Sequence, residues 1–139
     1  MIEEMLGGEH ATMDALLAAG DFDQFRKLLL RHIGLEEKIL LPAAREARGD
    51  EPLPIAAQLR RDHSEIAALL VAAPSPESIQ ALREILARHN PLEEGEAGLY
   101  ATCERLLGPE RTRAVIERMR AMPEVRVAAY RTPAVHRLQ

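Results

Sequence analysis

At 139 residues the chain is the size of one domain, and a 47% hydrophobic content is enough to build a buried core. Acidic and basic residues interleave to a net charge of −4, which offers no electrostatic surface for nucleic acid, and the longest apolar runs, such as Ala67 to Ala73, are far too short to span a bilayer. The lone Cys103 excludes an internal disulfide, and Glu3 and Glu4 deny the N-terminus the basic-then-apolar order of a signal peptide, so a cytoplasmic protein is expected. Ala and Leu dominate the apolar set, which favours helices because unbranched side chains lose little rotamer freedom there.

The first predicted helix covers 3–19 and carries the stripe Leu6, His10, Met13, Leu17, with Gly7-Gly8 weakening its start. Gly20-Asp21 closes it and caps the next, 21–48, whose stripe is Phe22, Phe25, Leu29, His32, Glu36, Ile39, Ala43. Gly49-Asp50 repeats that signal ahead of Pro52 and Pro54, and a third helix over 53–72 presents Leu59, His63, Ile66, Leu70. Pro74-Ser75-Pro76-Glu77 is the next break, with Ser75 a candidate N-cap. A fourth helix over 76–107 presents Ile79, Leu82, Leu86, His89, Glu93 and Tyr100, although Pro91, Gly95 and Gly98 predict a kink or opening between Asn90 and Gly98. After Gly108-Pro109 a short fifth helix over 109–122 packs Met119 and Met122 on the bundle. The tail from Pro123 to Gln139 has no period and is unassigned, so the domain spans 1–122 and the tail 123–139.

Short connections between long helices predict an all-α, up-down-up-down four-helix bundle with a short fifth C-terminal helix. Each stripe brings one histidine to a core-facing position, and two also bring a glutamate. At about 1.5 Å per residue, His10 and His32 each lie roughly 16 Å from the turn between them, and Glu36 and His63 each about 20 Å from theirs. His63 and His89 lie about 16 and 22 Å from the Pro74 turn, so all six residues converge within one or two helical turns of a common layer. Four imidazoles and two carboxylates buried together are costly unless they bind metal, and a pair of divalent cations removes the penalty. Imidazole suits iron, zinc or copper, and added carboxylates favour iron or manganese. The His-x-x-x-Glu pairs His32/Glu36 and His89/Glu93 set an imidazole and a carboxylate one turn apart on one face.

The order His…His-x-x-x-Glu…His…His-x-x-x-Glu resembles the hemerythrin-like HHE cation-binding family. Supporting text includes Glu9-His10, His32-Ile33-Gly34-Leu35-Glu36-Glu37 followed by Leu41-Pro42, Asp62-His63, and His89-Asn90-Pro91-Leu92-Glu93-Glu94 with Tyr100. The resemblance covers about residues 5–107. It implies two non-haem iron ions joined by an oxo or hydroxo bridge, other divalent metals being compatible. His10 and His32 would lie on one iron, His63 and His89 on the other, with Glu36 and Glu93 bridging. Oxygen-carrying hemerythrins have a further histidine four residues after the one on the third helix, where this chain has Ala67, and they close with His-x-x-x-x-Asp. The chain is therefore closer to the four-histidine, two-glutamate branch, which includes di-iron proteins of iron–sulfur repair and iron- or oxygen-sensing domains.

The expected function is binding or sensing of O2 or NO, by a monomer or homodimer whose protein partner the sequence does not name. The alternative is a di-iron enzyme or iron-handling protein: NO or peroxide reduction, cluster repair or iron storage. No residue is assigned a catalytic or further cofactor-binding role, and the lack of an added acid–base pair favours binding over turnover. Glu37 and Glu94, about 100° round the helix from their neighbours, are expected to be solvated, the alternative being that one replaces its neighbour as ligand. Tyr100, two turns past Glu93, is read as an amphipathic residue at the bundle boundary, the alternative being a hydrogen bond to a bridging glutamate or a bound ligand, and Cys103 as a small buried apolar residue. His136 has no partner and receives no site role.

Overall fold

Helix ends fall where the turn residues stand. Asp21 accepts from the amide of Gln24 at 3.3 Å and starts the helix at Phe22, while Gly20 takes the left-handed conformation (φ 78°) that ends the preceding one. Ser75 and Ser78 form a reciprocal capping box in front of the next long helix. Asp50 is different: it sits at φ 71° in the turn after Gly49 instead of capping, and the following helix begins only at Ala56.

The computed structural model describes residues 1–130, which are all-α. A π-helical turn, Glu3–Gly7, runs directly into α1 (Gly8–Ala18), so the weak Gly7-Gly8 start is absorbed as a local change of winding. Next, α2 (Phe22–Leu35) passes through a second π-helical turn, Glu36–Leu40, into α3 (Leu41–Ala47). Pro42 opens α3, and its missing N–H favours that departure from regular bonding. The other helices are α4 (Ala56–Leu69), α5 (Pro76–Glu93) and α6 (Leu99–Ala121).

The helix predicted over 76–107 is two helices. Pro91 is tolerated inside α5, but Glu94 turns extended (φ −98°, ψ 162°) and Gly95 adopts φ 81°, so the chain leaves the helix one residue after Glu93. The fifth helix accordingly starts at Leu99 and bends at Gly108 (φ 74°), ahead of Pro109. Helix α6 packs on α3 and on the π-helical turn before it, whereas α1 pairs with α2 and α4 with α5.

Two apolar clusters result. One gathers Ile2, Leu6, Leu35, Leu40, Leu59, Leu99 and Met119, and the other Met13, Leu17, Phe25, Leu29, Ile66, Leu70 and Leu82. On each helix the histidine falls between members of the two clusters: His10 between Leu6 and Met13, His32 between Leu29 and Leu35, His63 between Leu59 and Ile66. A polar layer thus divides the core. Past Met122 the chain is non-helical and lies along α2: Arg26 donates to the carbonyl of Ala128 at 2.8 Å and stacks on the Tyr130 ring, and the Tyr130 hydroxyl donates to Asp23. The rest of the tail, with His136, lies outside the described residues. Among the described residues no helix is long and apolar enough to cross a membrane.

Candidate metal centre

All six residues singled out in the sequence meet in the polar layer. His10 comes from α1, His32 from α2, His63 from α4 and His89 from α5, while Glu36 opens the π-helical turn and Glu93 is the last residue of α5. All are buried, and the two glutamates are fully so. The imidazoles stand in pairs, His10 with His32 and His63 with His89, ring centroids 4.9 Å apart in each.

Each glutamate spans both pairs. Glu93 sets Oε1 3.0 Å from Nε2 of His10 and Oε2 3.0 Å from Nε2 of His89. Glu36 sets Oε2 3.2 Å from Nε2 of His32 and Oε1 3.1 Å from Nε2 of His63. Two donor groups follow, Glu36-His63-His89-Glu93 and His10-His32-Glu93, each with its atoms within 4.8 Å of one another.

The outward nitrogens explain this orientation. Nδ1 of His32 lies 2.9 Å from Glu9, that of His63 2.6 Å from Glu37, that of His89 2.9 Å from Asp62, and that of His10 2.5 Å from Glu94. An ionised carboxylate only accepts, so each Nδ1 carries a hydrogen and each Nε2 is turned inward, where losing its own proton would leave a lone pair free for a cation. Glu94 is exposed and Glu37 half-buried, as solvated carboxylates would be, yet each also holds a histidine of another helix. The sequence signal was present: each of the four acidic residues sits beside one of the six core residues.

Charge in the layer is balanced between imidazole and carboxylate. Burial works against a charged His32, but Glu36, Glu9 and Glu93 outweigh it and raise its pKa well above the usual imidazole value. Burial likewise opposes a charge on His63, yet the same two core glutamates and Glu37 carry it up to about 10. For Glu93, burial pushes upward, and the four surrounding histidines pull it well below the usual carboxylate range. Tyr100 is fully buried among them, and burial together with Glu36 and Glu93 holds its phenol far above the ordinary tyrosine range. It is thus no boundary residue. A continuous helix would put it about 10 Å beyond Glu93, but the break at Glu94–Gly98 returns the chain so that its hydroxyl lies 3.0 Å from Glu93 and 2.6 Å from Glu36.

The donor set fits bound cations. Glu36 Oε1 and His63 Nε2 are buried and only 3.1 Å apart, yet neither makes a hydrogen bond. Nε2 of His10 and Nε2 of His32 face each other at 3.2 Å. Buried ligand atoms crowded together without partners are what a shared cation satisfies, and what a purely structural polar core would avoid. Outside this layer, a cleft of about 410 Å³ between α1 and α5 reaches His10 past Met13, Leu17, Phe25 and Leu86. Residues 1–101 match the model of the family described as Hemerythrin HHE cation binding domain. No curated protein and no solved structure matches the chain.

Proposed function

We propose, since this chain belongs to the hemerythrin HHE cation-binding domain family, that its polar layer holds two non-haem iron ions and binds or senses a small diatomic ligand, O2 or NO. His10 and His32 would hold one ion and His63 and His89 the other, with Glu36 and Glu93 reaching both. One observation carries this reading: four imidazoles, each tied outward to a carboxylate, turn four Nε2 atoms onto two carboxylates that span both pairs. Mixed imidazole and carboxylate donors suit iron or manganese better than copper or a thiolate-loving metal. Bound there, iron supplies redox chemistry and coordination positions that the protein leaves free.

The chain's own residues do the remainder. Glu9, Glu37, Asp62 and Glu94 fix ring orientation, and the two apolar clusters exclude bulk water above and below the layer. The largely apolar cleft at His10 admits a small uncharged molecule more readily than an ion.

Metal analysis of protein from iron-rich growth, followed by spectra of the anaerobic ferrous form on adding O2 and then NO, tests the proposal. Two irons per chain and a spectral adduct without turnover are expected. Trace metal alone would overturn the site, catalytic consumption of the ligand would make it an enzyme, and no reaction would leave iron handling.

A further inference from the structure

We infer that Tyr100 is a fifth protein ligand of the ion held by His10 and His32, so that the two metal positions are unequal. The inference rests on the reading of the polar layer as a metal centre. Its basis is where the phenol oxygen stands. Tyr100 Oη is 2.6 Å from Glu36 Oε2, 3.0 Å from Glu93 Oε1, and 3.2 Å from Nε2 of both His10 and His32. A phenol has one proton and satisfies one of these acceptors. A tyrosine present only to hydrogen-bond a glutamate needs one such contact, and this oxygen stands against four ligand atoms.

The spacing matches neighbouring donors on one ion. Bonds of about 2.0–2.2 Å at right angles put adjacent donors about 3 Å apart. His10 to His32 is 3.2 Å, His10 to Glu93 Oε1 is 3.0 Å and His32 to Glu36 Oε2 is 3.2 Å, and Oη stands within 3.2 Å of all four atoms. The phenol oxygen therefore occupies a vertex of the donor set itself. The other group, Glu36-His63-His89-Glu93, has four donors, and Ala67, one turn after His63, adds none.

Uptake of a ferric ion would break the O–H bond of Tyr100, send its proton to water and leave the phenolate oxygen as the donor to the metal. No electron moves. The His10/His32 ion would then have five protein donors and the His63/His89 ion four, so the protein leaves the two ions unequal numbers of open positions.

The full chain, loaded with iron and oxidised, tests this by absorption and resonance Raman spectroscopy after metal analysis. A visible tyrosinate-to-iron charge-transfer band is expected, with enhanced phenolate ring modes that shift on ring-deuteration of tyrosine. Tyr130 is the second of the two tyrosines and bonds Asp23 on the outside of α2, so Tyr130→Phe keeps the band. Tyr100→Phe loses it while still carrying two irons. An iron-loaded wild type without tyrosinate modes, or a Tyr100→Phe protein that keeps the band, overturns the inference. Should Tyr100→Phe fail to fold, deuterated Tyr130→Phe protein decides alone, because its one remaining tyrosine either shifts the modes or does not. A chain that takes up no iron overturns the metal-centre reading as well, and metal analysis separates that result from loss of the tyrosinate signature alone.

Discussion

The carboxylate of Glu94 lies 2.5 Å from Nδ1 of His10, so the residue that leaves α5 fixes an imidazole of α1. The same relation runs around the bundle: Glu9 of α1 holds His32 of α2, Glu37 after α2 holds His63 of α4, and Asp62 of α4 holds His89 of α5. Four helices are joined in a closed ring, each by an acidic residue next in sequence to a core residue. Glu94→Gln preserves shape but weakens the orienting bond, and about 10–100-fold lower metal affinity is expected. Competition against a chelator measures it; wild-type affinity would show that His10 needs no such partner.

Metal loading should stabilise the fold, because the donor set exists only in the folded chain. A cation at 100 times its dissociation constant adds about 2.7 kcal/mol per site. Thermal melts before and after chelation check this, with a clearly lower midpoint expected for the stripped protein. Coincident melts would contradict a metal centre built from these residues.

Segment 90–98 is where occupancy should show as order. Pro91 removes an amide donor, the helix stops at Glu93, and few backbone bonds follow, among them Glu94 to Asn90 and Gly98 to Gly95. Held by Glu93 and Glu94, the segment should gain amide-exchange protection on metal loading. Equal protection with and without metal would uncouple the break from the site.

Gly98 is required for a different reason. Its φ of −80° suits any residue, but a Cβ there would collide with the backbone carbonyl of Glu94, which cannot swing aside as a side chain can. Gly98→Ala should lose about 1–3 kcal/mol, measured by denaturant unfolding, and lose it through the turn that brings Tyr100 back to the layer. An unchanged midpoint would mean the turn relaxes freely.

Ala67 lies one turn after His63 and is half-buried. Ala67→His should add a donor at the His63/His89 position and slow azide exchange there, as followed by stopped-flow absorption. Kinetics identical to wild type would place residue 67 away from the ion.

The sequence alone determined the helical class and the six converging residues, because a period of 3.6 puts each histidine and glutamate in line with apolar neighbours that must be buried. It also placed the caps Asp21 and Ser75, whose side chains act on amides three residues away. It marked the weak stretch from Pro91 to Gly98, since ring closure and missing side chains are local properties. What periodicity could not decide was the destination of Glu9, Glu37, Asp62 and Glu94. About 100° round from a core residue, a carboxylate faces either water or the next helix, and which it meets depends on the order in which the helices surround the layer. Tyr100 shows the same limit. A continuous helix would carry it two turns from Glu93, and it is the reversal at Glu94–Gly98, with α6 packed on α3, that brings its oxygen among four donors from four segments of chain.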